Sequence, residues 1–553
     1  MDRDKTSPGF WSRRSLLIII LLLVALLLFF SHAGRKDVHT GDEARTMLIA
    51  RDMLRAGDWF VPRIQQGRVI LTKPPLLFWS IALISALHGG EVTEFTGSLP
   101  VALSAMAGII GLFLLGEQLF NRRTAFLAAL ILATTPQYFW LAYQYRVDMP
   151  LTVSIIFAFW AFYRGYRTPA LRSTSSLLFF LFLALGTSCK GPLAVTVPLL
   201  PILCFLWWHR ELSFLKALRP LRGMVLYALI VLPWFLPALL QQEIDYGKLV
   251  VQQTVLRFLH AQDTNAPFYF YVPSLLVNFL PWSLFLPGGI GQGFRLESQR
   301  KKPFLLVFLW LVVNFLFFSL SSGKRDRYIL PLYPAAALLV ALFWEEAIRR
   351  GREFLKSQGW RIPVYAFLCL SVLGGVGVLG GTVVRQLDLF PKMNFFFPQA
   401  PLFLLLLAGL FWGGGILAYL GYRQEHPLRV WGAIWGMMFA LLTLGPFVFF
   451  PQYNRSQDVK GFVRELQQVL PPGGKLCGYL FEKLPYNFYL DRRIEQVRDP
   501  ESLRRFLTTR VPAHCLMEKE RYEEVREALP PAVRLLKERV VGRETFVLIG
   551  REG

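Results

Sequence analysis

Cysteine is scarce in this chain, with five among 553 residues. None forms a CxxC and none has clustered histidine partners, so the spacing of a structural zinc site is missing. Cys189, Cys204 and Cys369 fall in or beside apolar runs and read as packing residues. Cys477 and Cys515 lie in a polar C-terminal stretch and are placed to pair if that stretch is extracytoplasmic, a question the sequence leaves open. Acidic residues are also few, 37 against 60 Lys and Arg, for a formal net charge of +23. A nucleic-acid binder would gather such a surplus in one soluble patch. Here it is scattered among loops between apolar runs, so nucleic acid is not an expected partner. Internal repeats, low-complexity tracts and a Gly-rich nucleotide loop are absent as well.

What the chain has in abundance is apolar sequence: 54% of its residues are hydrophobic and 15% aromatic, far too much for a soluble domain of this length. It reads as a polytopic membrane protein. Residues 15–30 form an aliphatic run after Arg13-Arg14, read as an uncleaved anchor, the alternative being a signal peptide with Ser31-His32-Ala33 as cleavage site. Runs of spanning length follow near 95–119, 123–143, 149–166, 175–189, 191–208, 223–240, 270–290, 303–321, 328–346, 363–384, 400–421 and 429–450, giving about 13 spans. With a cytoplasmic N-terminus every second loop is basic, as the positive-inside rule requires. An odd span count then places residues 451–553 outside. That tail mixes charge with strand-like "KLCGYL" and "TFVLIG" and helix-like "ESLRRFLTT" and "RYEEVREAL", and reads as a small α/β domain. The expected fold class is therefore mostly α. Residues 1–450 form the membrane domain, with 33–94 as a first outward loop bearing interfacial helices, and 451–553 form the outward domain.

The outward loops carry charges where charge is expensive. Arg146, Asp148, Lys190 and Lys324 to Arg327 sit at or near helix ends, where insertion costs about 2.5–3.5 kcal/mol per charge. Such residues need partners or a ligand. The first loop holds "HTGDEARTMLIARDMLRAGDWFVPR", in which Thr40 and Glu43 have capping-box spacing, and Asp42 and Glu43 suit a helix N-terminus. Ala44, Met47, Leu48 and Leu54 would then lie on the bilayer with Arg45, Asp52 and Arg55 in water. Capping accounts for one acid comfortably, but not for the whole constellation. "LTKPPLLFW" puts Lys73 before two prolines that start a helix, where a lysine by itself is a snorkelling headgroup contact. "VLRFLHAQDTNAPFYFYVP" brings Arg257 and His260 to a polar loop before an aromatic entry to a span, and "SSGKRDRYILP" flanks another span with Lys324 and Arg327.

These segments, together with "CKGPLAVTVP", occur in the order and spacing seen in bacterial lipid A 4-amino-4-deoxy-L-arabinose transferases, and the chain from Gly41 to about Pro334 resembles that family. The family belongs to the protein O-mannosyltransferase-like branch of the GT-C glycosyltransferases. The resemblance implies an inverting transfer of a sugar from an undecaprenyl phosphate carrier, on the periplasmic side of the inner membrane, to lipid A phosphate. It implies catalytic roles for Asp42, Asp148 and Glu43. Lys73 and Arg257 would grip the carrier phosphate with Tyr328 beside it, and Arg45, Lys190, Lys324 and His260 would be further substrate-binding positions. A carrier-phosphate donor lacks the diphosphate that recruits a divalent ion, and the only DxD, Asp2-Arg3-Asp4, is cytoplasmic, so neither a metal nor another cofactor is expected. The expected partners are the lipid-linked donor, the lipid acceptor and membrane lipid, with the chain acting as a monomer. Two departures border the donor headgroup: Thr264-Asn265 where the family commonly has a His, and Arg325-Asp326-Arg327 where it has an apolar residue. Rival readings are a protein O-glycosyltransferase, which needs Asp42 as a true base, a lipid-linked sugar flippase, and a non-catalytic lipid-binding scaffold.

Overall fold

In the computed structural model of the chain the described residues are 11, 13–64, 68–69, 73–240, 266–386, 401–471, 473–509, 511–542 and 544–551. Nine helices open the membrane body: α1 (Arg14–Phe29), α2 (Gly41–Ala56), α3 (Leu76–Leu87), α4 (Glu94–Leu119), α5 (Arg122–Ala133), α6 (Pro136–Ala142), α7 (Asp148–Arg167), α8 (Arg172–Lys190) and α9 (Leu193–Trp208). Among the described residues eight helices are long and apolar enough to cross a membrane, or ten if two bent pairs count as one span each. One bent pair is α5 with α6, turned by 62° where Pro136 interrupts the hydrogen-bond ladder. The other joins Phe268–Asn278 to Trp282–Phe294 at 107°. The chain is a multi-pass membrane protein.

Burial separates hub from rim. In the helix Asp326–Arg350 94% of the most apolar stretch is buried, against 22% in Pro220–Leu239, whose leucines face outward as lipid-exposed side chains do. Along α1, Leu17, Leu21, Val24 and Leu28 form one buried face, while Leu22, Leu23, Leu26 and Leu27 are exposed. Helices in the body approach closely over small residues: a methyl group added at Gly116 of α4 would lie 2.9 Å from the Ala125 Cα of α5.

The segment read as the first outward loop departs from expectation, and Asp52, expected in water, is buried. The capping box is there, with Thr40 accepting from the Glu43 N–H, and α2 closes on Gly57 at φ +71°, a left-handed C-terminal position that suits glycine. The apolar face of α2 does not lie on the bilayer, however. Ala44, Met47, Leu48, Ile49, Ala50 and Met53 are all buried in protein, with α3 on one side and the helix Leu484–Leu490 on the other. An amphipathic stripe records that a face is covered, not what covers it. A short antiparallel hairpin, β1 (Arg63–Ile64) with β2 (Arg68–Val69), follows α2.

The C-terminal part carries a mixed sheet of β3 (Lys475–Tyr479), β4 (Glu495–Val497), β5 (Ala513–Glu518), β6 (Val533–Val541) and β7 (Glu544–Arg551), in the order β4-β3-β5-β7-β6. β3 is parallel to both neighbours and β7 antiparallel to both of its own. Separate hydrophobic clusters cover its two faces, one around Phe462, Leu516 and Leu548, the other around Leu503, Met517 and Val547. Cys477 and Cys515 are cross-strand neighbours in the second cluster, and both thiols are free.

Candidate active site

Four segments distant in sequence converge at one end of the body: the N-terminus of α2, the loop from α6 into the start of α7, the C-terminus of α8, and the turn Asp326–Leu332. Asp42 lies in the first turn of α2, beyond the Thr40 cap, with its side chain 25% exposed. Arg146 donates to Asp42 Oδ2 at 2.8 Å and to Thr40 Oγ1 at 3.1 Å. Arg45, one turn along α2, donates to Oδ1 at 3.1 Å. Arg327 reaches Oδ2 at 3.3 Å and Arg325 approaches it at 3.8 Å. One carboxylate thus holds four guanidiniums.

Asp148 begins α7 and is almost fully buried. Lys190, in the last turn of α8, pairs with it, and Arg327 lies 3.9 Å from its second oxygen. Arg327 therefore bridges the two aspartates. The Lys190 ammonium stands 4.7 Å above the Tyr328 ring, a cation–π contact that fixes the side chain without a counter-charge. Lys73, in the bend before α3, feels the charge of both aspartates.

The electrostatics are lopsided. Among the described residues Arg45, Lys73, Arg146, Lys190, Arg325 and Arg327 gather around Asp42 and Asp148, while Glu43, also within electrostatic reach of Arg146, is paired with Lys36. Burial acts to raise the Asp42 pKa, but Lys73, Arg146 and Arg327 outweigh it and hold the carboxyl well below the usual carboxylate range. Burial lowers the Lys73 ammonium to about 8, against the pull of Asp42 and Asp148. A half-buried cluster with more cations than carboxylates has the charge to hold an anion.

Glu43 does something else. It is 1% exposed, pairs with Lys36 at 2.7 Å, and completes the cap by accepting from Thr40. It faces the interior, where Tyr145 donates to the Lys36 carbonyl at 2.7 Å. Lys324 is likewise turned inward, donating to the carbonyls of Ala266 and Ser321. Arg257 and His260 lie outside the described residues. Arg146, Arg325 and Arg327 are the members of the cluster for which sequence reasoning named no role. The signal was the KRDR run at a span boundary, which is an expensive place for charge, as it also is for Arg146.

The arrangement has known counterparts. Residues 72–236 match the family model described as dolichyl-phosphate-mannose-protein mannosyltransferase. In overall structure the chain is similar to ArnT from Cupriavidus metallidurans bound to undecaprenyl phosphate, with a TM-score of 0.82 and 20% identity over 97% of this chain and 98% of that one. The Archaeoglobus fulgidus oligosaccharyltransferase follows at TM-score 0.55 and 12% identity, over 92% and 70% of the respective chains. The chain has the GT-C fold. In sequence it is a homologue of proteins named undecaprenyl phosphate-alpha-4-amino-4-deoxy-L-arabinose arabinosyl transferase. That of Aeromonas salmonicida is 30% identical over 347 residues, covering 61% of this chain and 62% of the relative. That of Serratia proteamaculans is 28% identical over 409 residues, covering 72% and 71%. The match to the first of these thus spans somewhat less than two thirds of that relative's length.

Proposed function

We propose that the chain is an inverting glycosyltransferase that moves 4-amino-4-deoxy-L-arabinose from undecaprenyl phosphate to a phosphate of lipid A. In this reading it is a monomer of the bacterial inner membrane, with the N-terminus cytoplasmic and the site and residues 451–553 periplasmic. The observation that carries the reading is the cationic surplus around Asp42 and Asp148. A sugar passing between two lipid phosphates brings two anions into one pocket, and six cations against two carboxylates suit that load.

The chemistry follows from the charges. An acceptor phosphate oxygen forms a bond to the anomeric carbon as the bond from that carbon to the carrier phosphate oxygen breaks, and the electron pair leaves on the carrier phosphate. Lys73, with Arg257, stabilises that departing charge in a poorly solvated site. Arg325, Arg327 and Arg146 steer the acceptor phosphate. It is already anionic, so no proton has to be removed from it. Asp42 and Asp148 offset the positive charge that develops at the anomeric carbon. Glu43 and Lys324 act at one remove, by holding the α2 cap and the turn at Ser321.

A protein O-glycosyltransferase, the reading that the mannosyltransferase family match favours, needs Asp42 to take a proton from a hydroxyl. A carboxylate held far below neutrality by three cations is a weak base, which argues for the phosphate acceptor. The experiment is mass spectrometry of lipid A from cells with and without the protein, and from cells carrying Lys73→Ala. Aminoarabinose on lipid A that depends on the protein and on Lys73 supports the proposal. Unmodified lipid A alongside newly glycosylated Ser or Thr residues would replace it with the rival.

A further inference from the structure

The segment that presents Asp42 is held from the opposite end of the chain. Between α1 and α2 the backbone from Arg35 to Thr40 is irregular, so its polar groups find no ladder of their own. Tyr145, Lys36 and Glu43 meet some of them, and side chains beyond residue 450 meet others. Asn454 Nδ2 donates to the Arg35 carbonyl at 2.8 Å, while its Oδ1 accepts from the Asp37 N–H at 3.1 Å and hydrogen-bonds with the His39 ring at 3.0 Å. Tyr489 OH accepts from the Val38 N–H at 2.8 Å and donates to Glu94 at 3.1 Å. Lys460 closes the group, 2.6 Å from Glu94 and 3.7 Å from Asp37.

The same part of the chain also grips the C-terminal end of α2. Asp491 accepts from Arg51 at 3.1 Å and from Arg55 at 2.8 and 2.9 Å. Arg51 donates to the Phe488 carbonyl at 2.8 Å and lies over the Phe488 ring. α2 is therefore fastened at its C-terminal end as well as through the segment that leads into it, and Asp42 lies between the two attachments. Buried backbone groups without partners are costly, so these contacts define where Thr40, and with it Asp42, can sit.

We propose that Asn454 and Tyr489 are positioning residues, and that the C-terminal part is a clamp that fixes Asp42 against Arg146 and Arg327. The activity readout rests on the transfer reaction proposed above; the exchange readout does not. Tyr489→Phe removes a single hydroxyl, and Asn454→Leu removes the whole amide. Lys519→Ala, which breaks an exposed pair with Glu538 within the C-terminal part, is the control.

The experiment combines hydrogen–deuterium exchange of residues 35–45 with transfer kinetics on the full chain in lipid nanodiscs, using undecaprenyl-phosphate-linked aminoarabinose and lipid A. In Tyr489→Phe and Asn454→Leu, exchange at residues 36–40 accelerates while β3 stays protected. The kcat value falls by about tenfold or more, as a misplacement of reacting groups produces, with the donor KM within about twofold of wild type and Lys519→Ala unchanged. In an Asp42→Asn background neither substitution lowers kcat further, which a merely structural role would not produce. Unchanged exchange at residues 36–40, or the same kcat loss in both backgrounds, overturns the clamp. Accelerated exchange in variants of a protein whose wild type transfers nothing supports the clamp and sinks the transfer reading instead.

Discussion

The two ends of the membrane body treat charge differently. At the end away from the site, cations and carboxylates meet in small, balanced groups whose cations reach water, although Glu345 and Glu346 are themselves buried. Arg14 and Arg122 share Glu117, Arg349 and Arg350 share Glu346, Arg300 meets Glu345, and Lys302 meets Glu211. Arg14, Arg122 and Arg349 are 50%, 42% and 52% exposed, so water carries most of their solvation. At the site end Asp42 alone receives four arginines, and Arg146 and Arg327 are 8% and 19% exposed. The pair exposed on both sides, Lys302 with Glu211, contributes about 0–1 kcal/mol. A buried surplus such as that at the site end costs stability unless an anion completes it, which is why the proposed function places the lipid phosphates there.

Removing one cation from each end tests that contrast most strongly. Arg327→Ala and Arg146→Ala are expected to lower the transfer rate by about 10²–10³-fold, the range for losing one preorganised charge-stabilising donor. Lys302→Ala, which breaks an exposed pair with Glu211, is expected to leave the rate within about twofold and stability within about 0.5 kcal/mol. Transfer assays in nanodiscs with melting curves on the same samples decide it; comparable losses at both ends would erase the distinction.

Asp42 and Glu43 make the same comparison within two adjacent residues. Asp42→Asn is expected to fold normally, because Thr40 is the cap, and to lose about a hundredfold in turnover. Glu43→Gln is expected to lose about 3 kcal/mol of stability by leaving Lys36 buried without a counter-charge. Its transfer rate below the melting transition would fall far less. If Glu43→Gln were as stable as wild type yet inactive, Glu43 would belong with the reacting groups.

Legibility in the sequence followed the range of the interaction. The Thr40–Glu43 capping box spans three residues and can be read directly. The strands around "KLCGYL" and "TFVLIG" and the helices in "ESLRRFLTT" and "RYEEVREAL" are also local patterns, and they are present at Lys475–Tyr479, Glu544–Arg551, Pro500–Leu507 and Lys519–Val525. The cost of charge at helix ends picked out Arg146, Asp148 and Lys190 without saying what they touch. The bond from Arg327 to Asp42 joins residues 285 apart, and no local pattern encodes it. The cover on α2 was hidden for another reason, since lipid and protein demand the same apolar stripe.

The pH dependence sharpens the comparison on the site side. The Lys73 ammonium, lowered by burial to about 8, loses its proton as pH rises through that value, so kcat/KM for the donor is expected to fall about tenfold per pH unit above it. A bound carrier phosphate stabilises the charged form, so the alkaline limb of kcat should lie higher than that of kcat/KM. Asp42, held well below the usual carboxylate range, should give no acid limb between pH 5 and pH 7. For stability the sign is opposite to that of an ordinary lysine. Above about pH 8 the unfolded chain binds more protons at Lys73 than the folded one, so this group makes the fold relatively more stable as pH rises toward the unfolded lysine value. A neutral-range acid limb that vanishes in Asp42→Asn would restore Asp42 as a base and favour a hydroxyl acceptor.

The smallest expected effect is that of a chelator. Asp42 already engages four guanidiniums and Asp148 a lysine, so a divalent ion between them would have to displace cations it cannot coordinate. In the proposed reaction the charge neutralisation that a metal gives a diphosphate leaving group would come from the chain's own side chains acting on a monophosphate. Transfer in excess EDTA is therefore expected to stay within about twofold of the untreated rate, with the donor KM unchanged. Loss of turnover in EDTA, restored by one particular divalent ion and accompanied by a shift in donor KM, would mean that the cationic surplus does not suffice for the leaving group.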